Sequence, residues 1–254
     1  MMRGMWNRET VALIILAAAL PVAAAWLWEE GVTGAARLLL AVIVGGLWQG
    51  VFTVLRAQPP SAAGAVSALA MAMLAPEVGP LQFVLGISFG FVFGELIFGG
   101  WGRSVLSPAV VSIMFLGFGF PTAAWPALPV QVGWATIPAA LLLLAFGVLP
   151  WRLLAGALAV LVLAGGFSLD LLTSAVALAL VLLVCDPATA ASTALGRWLH
   201  GALFGALITL FAATWQTAPV QMAVSAALLA SLSAPLLDEI AIAIWRAVRR
   251  HRHG

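Results

Sequence analysis

The sequence predicts an all-α polytopic membrane protein with about ten transmembrane helices in two inverted five-helix repeats, some of them short or broken. Of the 254 residues, 64% are hydrophobic and only 8% are charged. A soluble domain carries about a quarter charged residues, so most of this surface must face lipid. The apolar runs are roughly 15–25 residues long and do not alternate with polar residues, which is typical of helices that cross a bilayer.

Glycines, prolines and charged residues divide the apolar sequence into ten segments. Their approximate bounds are 11–28, 35–55, 61–75, 80–98, 107–120, 134–149, 153–168, 171–184, 198–214 and 219–236. We expect the first run, Val11 to Leu27, to be a retained helix, because no small-residue cleavage site precedes Trp26. The predicted division is a single transmembrane domain at 1–238, with halves at 1–121 and 134–238, and a cytoplasmic basic C-terminal tail at 239–254.

The arginines predict the orientation. All eleven basic residues are Arg, and ten crossings from a cytoplasmic N-terminus place every one except Arg37 on the cytoplasmic side, as the positive-inside rule requires. We therefore expect a multi-pass protein of a bacterial-type inner (cytoplasmic) membrane with both termini in the cytoplasm. The arginines assigned to that side are Arg3, Arg8, Arg56, Arg103, Arg152, Arg197, Arg246, Arg249, Arg250 and Arg252. An interfacial tryptophan belt is expected at Trp26, Trp28, Trp101, Trp125, Trp134, Trp151 and Trp198.

Several classes of function are disfavoured by composition. The chain has a single cysteine, Cys185, which excludes an intramolecular disulfide and any metal or iron–sulfur site built from its own thiolates alone. The arginines lie between apolar runs and form no basic face, so nucleic acid is not an expected partner. No metal site and no catalytic residue are predicted.

Two predicted helices, the third and the eighth, are too short for a simple crossing. Their apolar cores span about 20 Å, less than the roughly 30 Å hydrocarbon core. Each ends at a proline beside an acid, in Pro76-Glu77 and Asp186-Pro187. Short, proline-interrupted helices at matching places in inverted halves often mark a central binding site. They are equally compatible with ordinary helix ends.

The stretch from Gly94 to Ala109 has the densest concentration of glycine and polar residues. The glycines Gly99, Gly100 and Gly102 allow positive φ at a helix end, and Ser107-Pro108 predicts the start of the next helix. Such a turn could hold an anion or a cofactor edge, although a plain glycine-rich connection is the more common explanation.

Three separated motifs together resemble one family, the membrane subunit of sodium-pumping NADH:quinone oxidoreductase and of the Rnf complex (RnfD/NqrB). The resemblance extends over roughly residues 61–238 and implies ten helices in two inverted repeats. The segments that carry it are Leu74-Ala-Pro76, Gly94-Glu-Leu-Ile-Phe-Gly-Gly-Trp-Gly-Arg-Ser104 with Leu106-Ser-Pro-Ala109, Cys185-Asp-Pro-Ala-Thr-Ala-Ala-Ser-Thr-Ala-Leu-Gly-Arg197, and Ala234-Pro-Leu-Leu-Asp238.

The chain departs from the family pattern at the flavin attachment site. Family members carry covalent FMN on the threonine of an S-G-A-T-type motif in a long loop after the fifth helix. Here the loop is short, residues 121–133, and neither Thr122 nor Thr136 has the motif. Ser104 and Ser107 replace the asparagines of the family's glycine motif. Covalent FMN is therefore not expected, and a noncovalently held flavin (FMN or riboflavin) is the cofactor that the resemblance still allows.

The resemblance also supplies candidate site residues. The cofactor-binding candidates are Gly99, Gly100, Gly102, Arg103, Ser107, Thr189 and Thr193, and the ion-path candidates are Glu95 and Asp186. Burying an acid in a membrane is expensive, which makes intramembrane acids functional candidates. The alternative is that both acids lie at the cytoplasmic interface as caps or ion pairs, with Arg103 and Arg197.

The expected function is that of a subunit of an oxidoreductase complex, not catalytic alone. It would help move electrons across or along the membrane, between a cytoplasmic donor and a quinone or an outer-side acceptor, with possible ion coupling left open. The expected partners are the lipid bilayer, quinone, and other membrane and soluble redox subunits. Two alternatives stay open: a channel or transporter for a small solute, and a non-redox membrane anchor for partner redox subunits.

Overall fold

The computed structural model describes residues 7–57, 59–166, 169–215 and 217–253, with side chains through Arg249. The described part is helical and contains no β-strand, which confirms the all-α class. Among the described residues, four helices are long and apolar enough to cross a membrane, and five apolar helices are shorter. The chain is therefore a polytopic α-helical membrane protein, as predicted.

The first element, α1, spans Arg8–Arg56 and turns back on itself at Gly31. Gly31 has φ +60° and ψ −135°, a conformation that side chains disfavour. Both ends of α1 lie at one end of the protein, because Glu9 accepts a hydrogen bond from the Ala62 amide while Arg56 donates to the Ile97 carbonyl. The arms on either side of Gly31 are therefore the first two predicted helices.

Eight more helices follow, so that the described part has ten helical segments when the two arms of α1 are counted separately. They are α2 (Ala63–Leu74), α3 (Pro80–Phe98), α4 (Pro108–Gly119), α5 (Val130–Ala145), α6 (Trp151–Ala164), α7 (Ser174–Val184), α8 (Ala194–Thr214) and α9 (Pro219–His253).

Several predicted helix bounds differ from the structure; α8, for example, begins at Ala194 rather than at residue 198. The helix α5 begins directly after Pro129 and ends at Ala145, because Gly147 (φ +68°) reverses the backbone and the Val148 amide bonds back to Leu143. The sequence places this helix four residues later. The helix α9 begins at Pro219, as predicted, and continues past the predicted end at residue 236 to His253, so that it includes the segment predicted as a short interfacial helix with a basic end.

The helix contacts follow the order expected of two inverted repeats. Between the halves, equivalent helices meet: α1 packs against α5, α2 against α7, and α4 against α9. The first arm of α1 runs antiparallel to α5, because Val11, near its start, borders the same cavity as Phe146, which follows the end of α5. Within the halves, the pairs α2–α4 and α3–α4 correspond to α7–α9 and α8–α9.

Glycine allows the closest helix contacts. A side chain at Gly201 of α8 would place its Cβ against the Leu153 carbonyl oxygen of α6, far inside van der Waals distance. At Gly90 of α3 the Cβ would overlap the Pro108 carbonyl oxygen and the Ser112 hydroxyl. Backbones can therefore approach where van der Waals contact, rather than hydrophobic burial, holds membrane helices together.

Except for Arg37, the described arginines gather at one end of the molecule, here called the arginine-rich end. Arg8 lies over the Trp101 ring at that end, and Arg197 borders the cavity lined by Val11. Arg37 lies at the opposite end, where it interacts electrostatically with Glu77. The side chains of Arg3, Arg250 and Arg252 lie outside the described residues, and which end faces the cytoplasm stays a prediction.

The tryptophan belt is only partly observed. Trp28, Trp134 and Trp151 are exposed, in keeping with an interfacial position. Trp26 and Trp101 are buried, with 3% and 6% of their surface exposed, so neither ring faces the lipid headgroups as a belt residue would.

Candidate functional site

Glu95 lies at the end of a π-helical turn, Gly90–Glu95, within α3. Its side chain is 1% exposed, and its carboxylate accepts a hydrogen bond from the Trp101 amide. The Oε2 atom is buried without a partner among the described residues, and Arg8 supplies the nearby positive charge. A π-helical turn is frequent at functional sites, and here it ends on the buried acid.

The glycine turn after α3 has the conformation that the sequence predicts. Gly99, Gly100 and Gly102 have φ values of +106°, +87° and +88°. This turn folds back on α3, with the Gly100 amide bonded to the Glu95 carbonyl oxygen. The amides of residues 100 and 101 therefore bind a residue of this chain, where the sequence suggests an anion or a cofactor edge.

Asp186 lies two residues after a second π-helical turn, Leu180–Val184, at the end of α7. Burial raises the pKa of the Asp186 carboxyl to about 6, although hydrogen bonds from the Ala188 amide and the Trp101 indole oppose this. The Ala188 amide lies 2.9 Å from its Oδ1 atom, and the backbone carbonyl of Asp186 accepts from the Thr189 amide. Asp186 is therefore held at the break between α7 and α8, facing the protein interior.

Trp101 joins the two acids. Its backbone amide donates to Glu95, and its indole donates to Asp186. The two carboxyl groups also interact electrostatically with each other. Glu95 lies near the end of α3 in the first half and Asp186 follows α7 of the second half, so Trp101 connects the end of α3 with the end of α7.

Two water-sized cavities flank Trp101. One, of about 10 Å³, is bordered by Glu95 and Arg8. The other, of about 20 Å³, is bordered by Asp186 and Ser107. A polar space of this size holds about one water molecule, so each acid has room for one small hydrated or ionic neighbour.

The remaining hydroxyl candidates take different positions. Ser107 occupies the N-cap position of α4 with Pro108 next to it, as predicted, but its hydroxyl makes no capping hydrogen bond and lines the cavity beside Asp186. Thr189 is buried, and its hydroxyl has no partner among the described residues. Ser104 is buried, and among the same residues its hydroxyl is unpaired as well.

Thr193 belongs to a second cluster, at the start of α8. It caps this helix by accepting a hydrogen bond from the Gly196 amide at 3.0 Å. Its own hydroxyl donates to Asp238 of α9 at 2.6 Å, and the Ser192 and Thr193 amides donate to the same carboxylate. His200 also stabilises this break, with its Nδ1 accepting from the Ala191 amide.

The structure brings together only part of the predicted set. Arg103 and Gly102 are exposed, and Thr193 is bound to Asp238. The predicted ion pairs are replaced by other contacts: Arg8 lies near Glu95, and Arg197 donates to the Ala191 carbonyl.

Sequence reasoning missed Trp101, Arg8 and His200. Trp101 carried a usable signal, because an aromatic residue stands between Gly100 and Gly102 where the family pattern has leucine. Nothing in the sequence marks Arg8 as a partner for Glu95, since the two lie at opposite ends of the first half of the chain.

A flavin does not fit the central site in this conformation. Ser107, Gly100 and Thr193 border three different cavities, and the central cavity of about 20 Å³ is far below the roughly 300–1,000 Å³ of ligand pockets. A larger cavity of about 320 Å³ lies at the arginine-rich end, bordered by Phe146, Pro187 and Arg197. Among the described residues, no group of three His, Cys, Asp or Glu side chains could hold a metal ion.

Comparisons with known proteins agree with the motifs. The B subunit of the Na(+)-translocating NADH-quinone reductase of Pseudomonas paraeruginosa is 28% identical over 293 residues, covering 90% of this chain and 72% of that protein. The same protein of Stutzerimonas stutzeri is 27% identical over 322 residues, covering 94% and 80%. Its counterpart in Yersinia pestis is 36% identical over 123 residues, covering 46% and 29%.

The two longer alignments exceed the 254 residues of this chain, so they include positions where the relatives have residues that this chain lacks. The model of the NQR2, RnfD, RnfE family matches residues 2–134 and 129–244. These matches cover nearly the whole sequence, and the chain therefore belongs to the NQR2, RnfD, RnfE family.

Proposed function

We propose that the chain is a membrane subunit of an Rnf/Nqr-like electron-transfer complex. In this role it helps move electrons between a cytoplasmic donor and a quinone or outer-side acceptor, together with membrane and soluble redox subunits. Family membership and the names of the relatives support this proposal. The arginine-rich end faces the cytoplasm of a bacterial-type inner membrane, as the positive-inside rule predicts.

The observation that carries the proposal is the Glu95–Trp101–Asp186 cluster. A buried acid, Glu95, and a half-buried one, Asp186, are joined by one tryptophan, and each lies beside a water-sized cavity, so that the cluster forms a place where a proton or small cation can be held. Such groups are costly to bury in a membrane and occur on ion pathways. We assign ion coupling to this cluster, with Arg8 balancing the charge of Glu95.

The electron carriers come from partner subunits in this proposal. The chain has neither the covalent-FMN motif nor a central cavity large enough for a flavin among its described residues. Its own contribution is a scaffold for partners and the pair of acids. Purified alone, the chain is expected to lack flavin absorption, and in-gel fluorescence after denaturation should show no covalent flavin.

The first experiment isolates the complex from native membranes in mild detergent through a tag on this chain, and identifies the co-purifying subunits. Donor-driven quinone reduction and cation uptake are then measured in liposomes for the wild type, Glu95→Gln and Asp186→Asn. We expect at least a roughly tenfold loss of ion uptake in each variant, because a neutral amide neither exchanges a proton nor balances a cation. Glu239→Gln is the matched control, since Glu239 lies away from the cluster at the same end.

Unchanged ion uptake in both acid variants, with the complex assembled, contradicts the role assigned to the cluster. A chain that co-purifies with no redox protein and conducts a small solute in liposomes contradicts electron transfer and supports the transporter alternative.

Trp101→Phe tests the connection between the acids. Phenylalanine keeps the aromatic ring and the backbone amide that bonds to Glu95, but removes the indole donor to Asp186. The pH dependence of ion uptake should therefore shift upward, since the Asp186 carboxylate loses a stabilising hydrogen bond. Trp134→Phe, at an exposed tryptophan, should leave the profile unchanged. An unaltered profile in Trp101→Phe excludes the connection.

The orientation has its own test. Ala124 lies in the connection between α4 and α5, at the end opposite the arginines, where its carbonyl accepts from the Glu77 amide. Ala124→Cys should react with an impermeant thiol reagent added outside the cell, whereas labelling only from the cytoplasm reverses the assignment.

A further inference from the structure

The helix α9 extends beyond the bundle at the arginine-rich end. Asp238 bonds to the residues that start α8 and so marks the level at which α8 begins. The helix continues from there to His253, about 22 Å at 1.5 Å per residue. This projecting segment, residues 239–253, belongs to no part of the site described above.

The described residues of the segment divide into two faces at helical spacing. The charged residues Glu239, Arg246 and Arg249 share one face with Ile242, which also borders the groove described below. The rest of the circumference carries only apolar residues, among them Ile240, Ala241, Ile244, Trp245, Ala247 and Val248. A basic amphipathic helix of this kind is typical of segments that lie at a membrane surface.

The apolar face forms one wall of a groove whose other wall is the first turn of α8. The groove has a volume of about 510 Å³. Its lining is Thr193, Ala194, Leu195, Ala241, Ile242, Ile244, Trp245 and Val248. Since α8 enters the apolar part of the protein directly after this turn, the groove opens beside the bilayer edge.

Positive charge borders the groove. The Arg249 guanidinium lies over the Trp245 ring at 5.0 Å from its centroid. Among the described residues, neither Arg246 nor Arg249 is paired with an acid. Glu239 is the one acid in the sequence of the projecting segment, which also contains Arg250 and Arg252, so the segment has a net positive charge.

We propose that this groove binds an anionic phospholipid, with an acyl chain in the groove and the phosphate at Arg246 and Arg249. The apolar lining matches the chain, and unpaired guanidinium groups match the phosphate in charge and geometry. Tryptophan at the rim is typical of the headgroup level. Juxtamembrane arginines are attracted to anionic lipid, which a zwitterionic lipid does not reproduce.

The experiment uses the full-length protein in detergent, depleted of lipid and titrated with phosphatidylglycerol or with phosphatidylcholine of the same chain length. Binding is followed by native mass spectrometry and by the melting temperature. We expect phosphatidylglycerol to bind at least roughly tenfold more tightly. The double variant Arg246→Gln/Arg249→Gln should lose that preference.

Arg152→Gln is the matched control. The Arg152 guanidinium lies over the Trp151 ring, 5.3 Å from its centroid, at the same end of the protein. This pair resembles Arg249 and Trp245 but does not border the groove. The variant's preference for phosphatidylglycerol should equal that of the wild type. An equal loss in this variant, or equal binding of both lipids by the wild type, overturns the proposal.

A second variant tests the groove itself. Ile244 is 47% exposed, so Ile244→Gln should fold normally. We expect it to weaken binding of both lipids, because it places an amide in the acyl-chain groove. Unchanged lipid binding in this variant overturns the proposal, as does a wild-type dimer that Ile244→Gln converts to a monomer, since a second copy then covers the face.

Discussion

The two helix breaks of the molecule are held by opposite charges. At the break between α2 and α3, the Arg37 guanidinium donates to the carbonyl oxygens of Ala75 and Pro76, at 2.5 and 2.7 Å. At the break between α7 and α8, the Asp238 carboxylate accepts from the Ser192 and Thr193 amides. The first charge satisfies the end of a helix and the second the start of one, as the helix dipole favours.

The difference shows which break can carry chemistry. The first is short, and Arg37 binds the carbonyl groups of its first two residues, Ala75 and Pro76. The second is longer, and its stabilising contacts to Asp238 and His200 all lie at residues 191–193. Asp186, at its beginning, is therefore left to face Trp101 and the central cavity. We conclude that the first break is structural and the second carries the candidate site.

Among the substitutions at the two breaks, removing Arg37 should reduce the stability of the protein most. Arg37→Met leaves two carbonyl groups without their charged donor, at a cost of about 3–6 kcal/mol, because hydrogen bonds to charged groups contribute roughly 1.5–3 kcal/mol each. The measurement is the melting temperature in detergent, with size-exclusion chromatography to detect aggregation. Arg103→Met, at an exposed arginine, should change stability by less than about 0.5 kcal/mol. Equal stability of the two variants would mean that Arg37 does not hold the break.

The stability of the protein should depend on pH through Asp186, which lies in the second break. Its pKa is raised from 3.8 to about 6, so the folded state binds the proton more tightly than the unfolded state. The resulting stability is fully present below about pH 4 and is lost as the pH rises through about 6. Relative to Asp186→Asn, the wild type should lose about 3 kcal/mol across this window, since one pKa unit corresponds to about 1.4 kcal/mol.

Thermal unfolding of both proteins between about pH 4 and pH 7 checks this prediction. The variant serves as the reference because the acids far from Asp186 titrate equally in both proteins. Glu95 interacts electrostatically with Asp186, so the comparison is repeated with Glu95→Gln in both proteins. A constant difference in stability across the range shows that burial does not perturb Asp186.

The breaks also show what the sequence could predict. Hydropathy with Pro and Gly punctuation located the ten helical segments, and the bounds of α3 agree because Pro80 begins the helix and Gly99 ends it. The acids were identified because burying a carboxylate in a membrane is expensive, whatever surrounds it.

The residues that contact these acids could not be predicted from the sequence. Trp101 was assigned to the interface because tryptophan prefers the headgroup region, but packing between the halves buries it. Ser107 has the sequence of an N-cap, yet its hydroxyl lines the cavity, since the cavity is formed by helices far apart in sequence. Residue type determines the cost of burial in lipid, whereas tertiary packing determines each side chain's partner.

The smallest loss of stability is expected at Asp238, which holds the second break as Arg37 holds the first. Asp238→Asn keeps the shape and one acceptor oxygen but loses the charge that holds the Ser192 and Thr193 amides. Loss of an N-terminal helix cap costs about 0.5–2 kcal/mol, and Asp238 lies at the surface of the bundle, so we expect about 1 kcal/mol. The melting temperature measures this, with Glu239→Gln as the adjacent control. A loss as large as that of Arg37→Met would show that the anionic break is held as tightly as the cationic one, and the distinction between a structural and a chemical break would then fail.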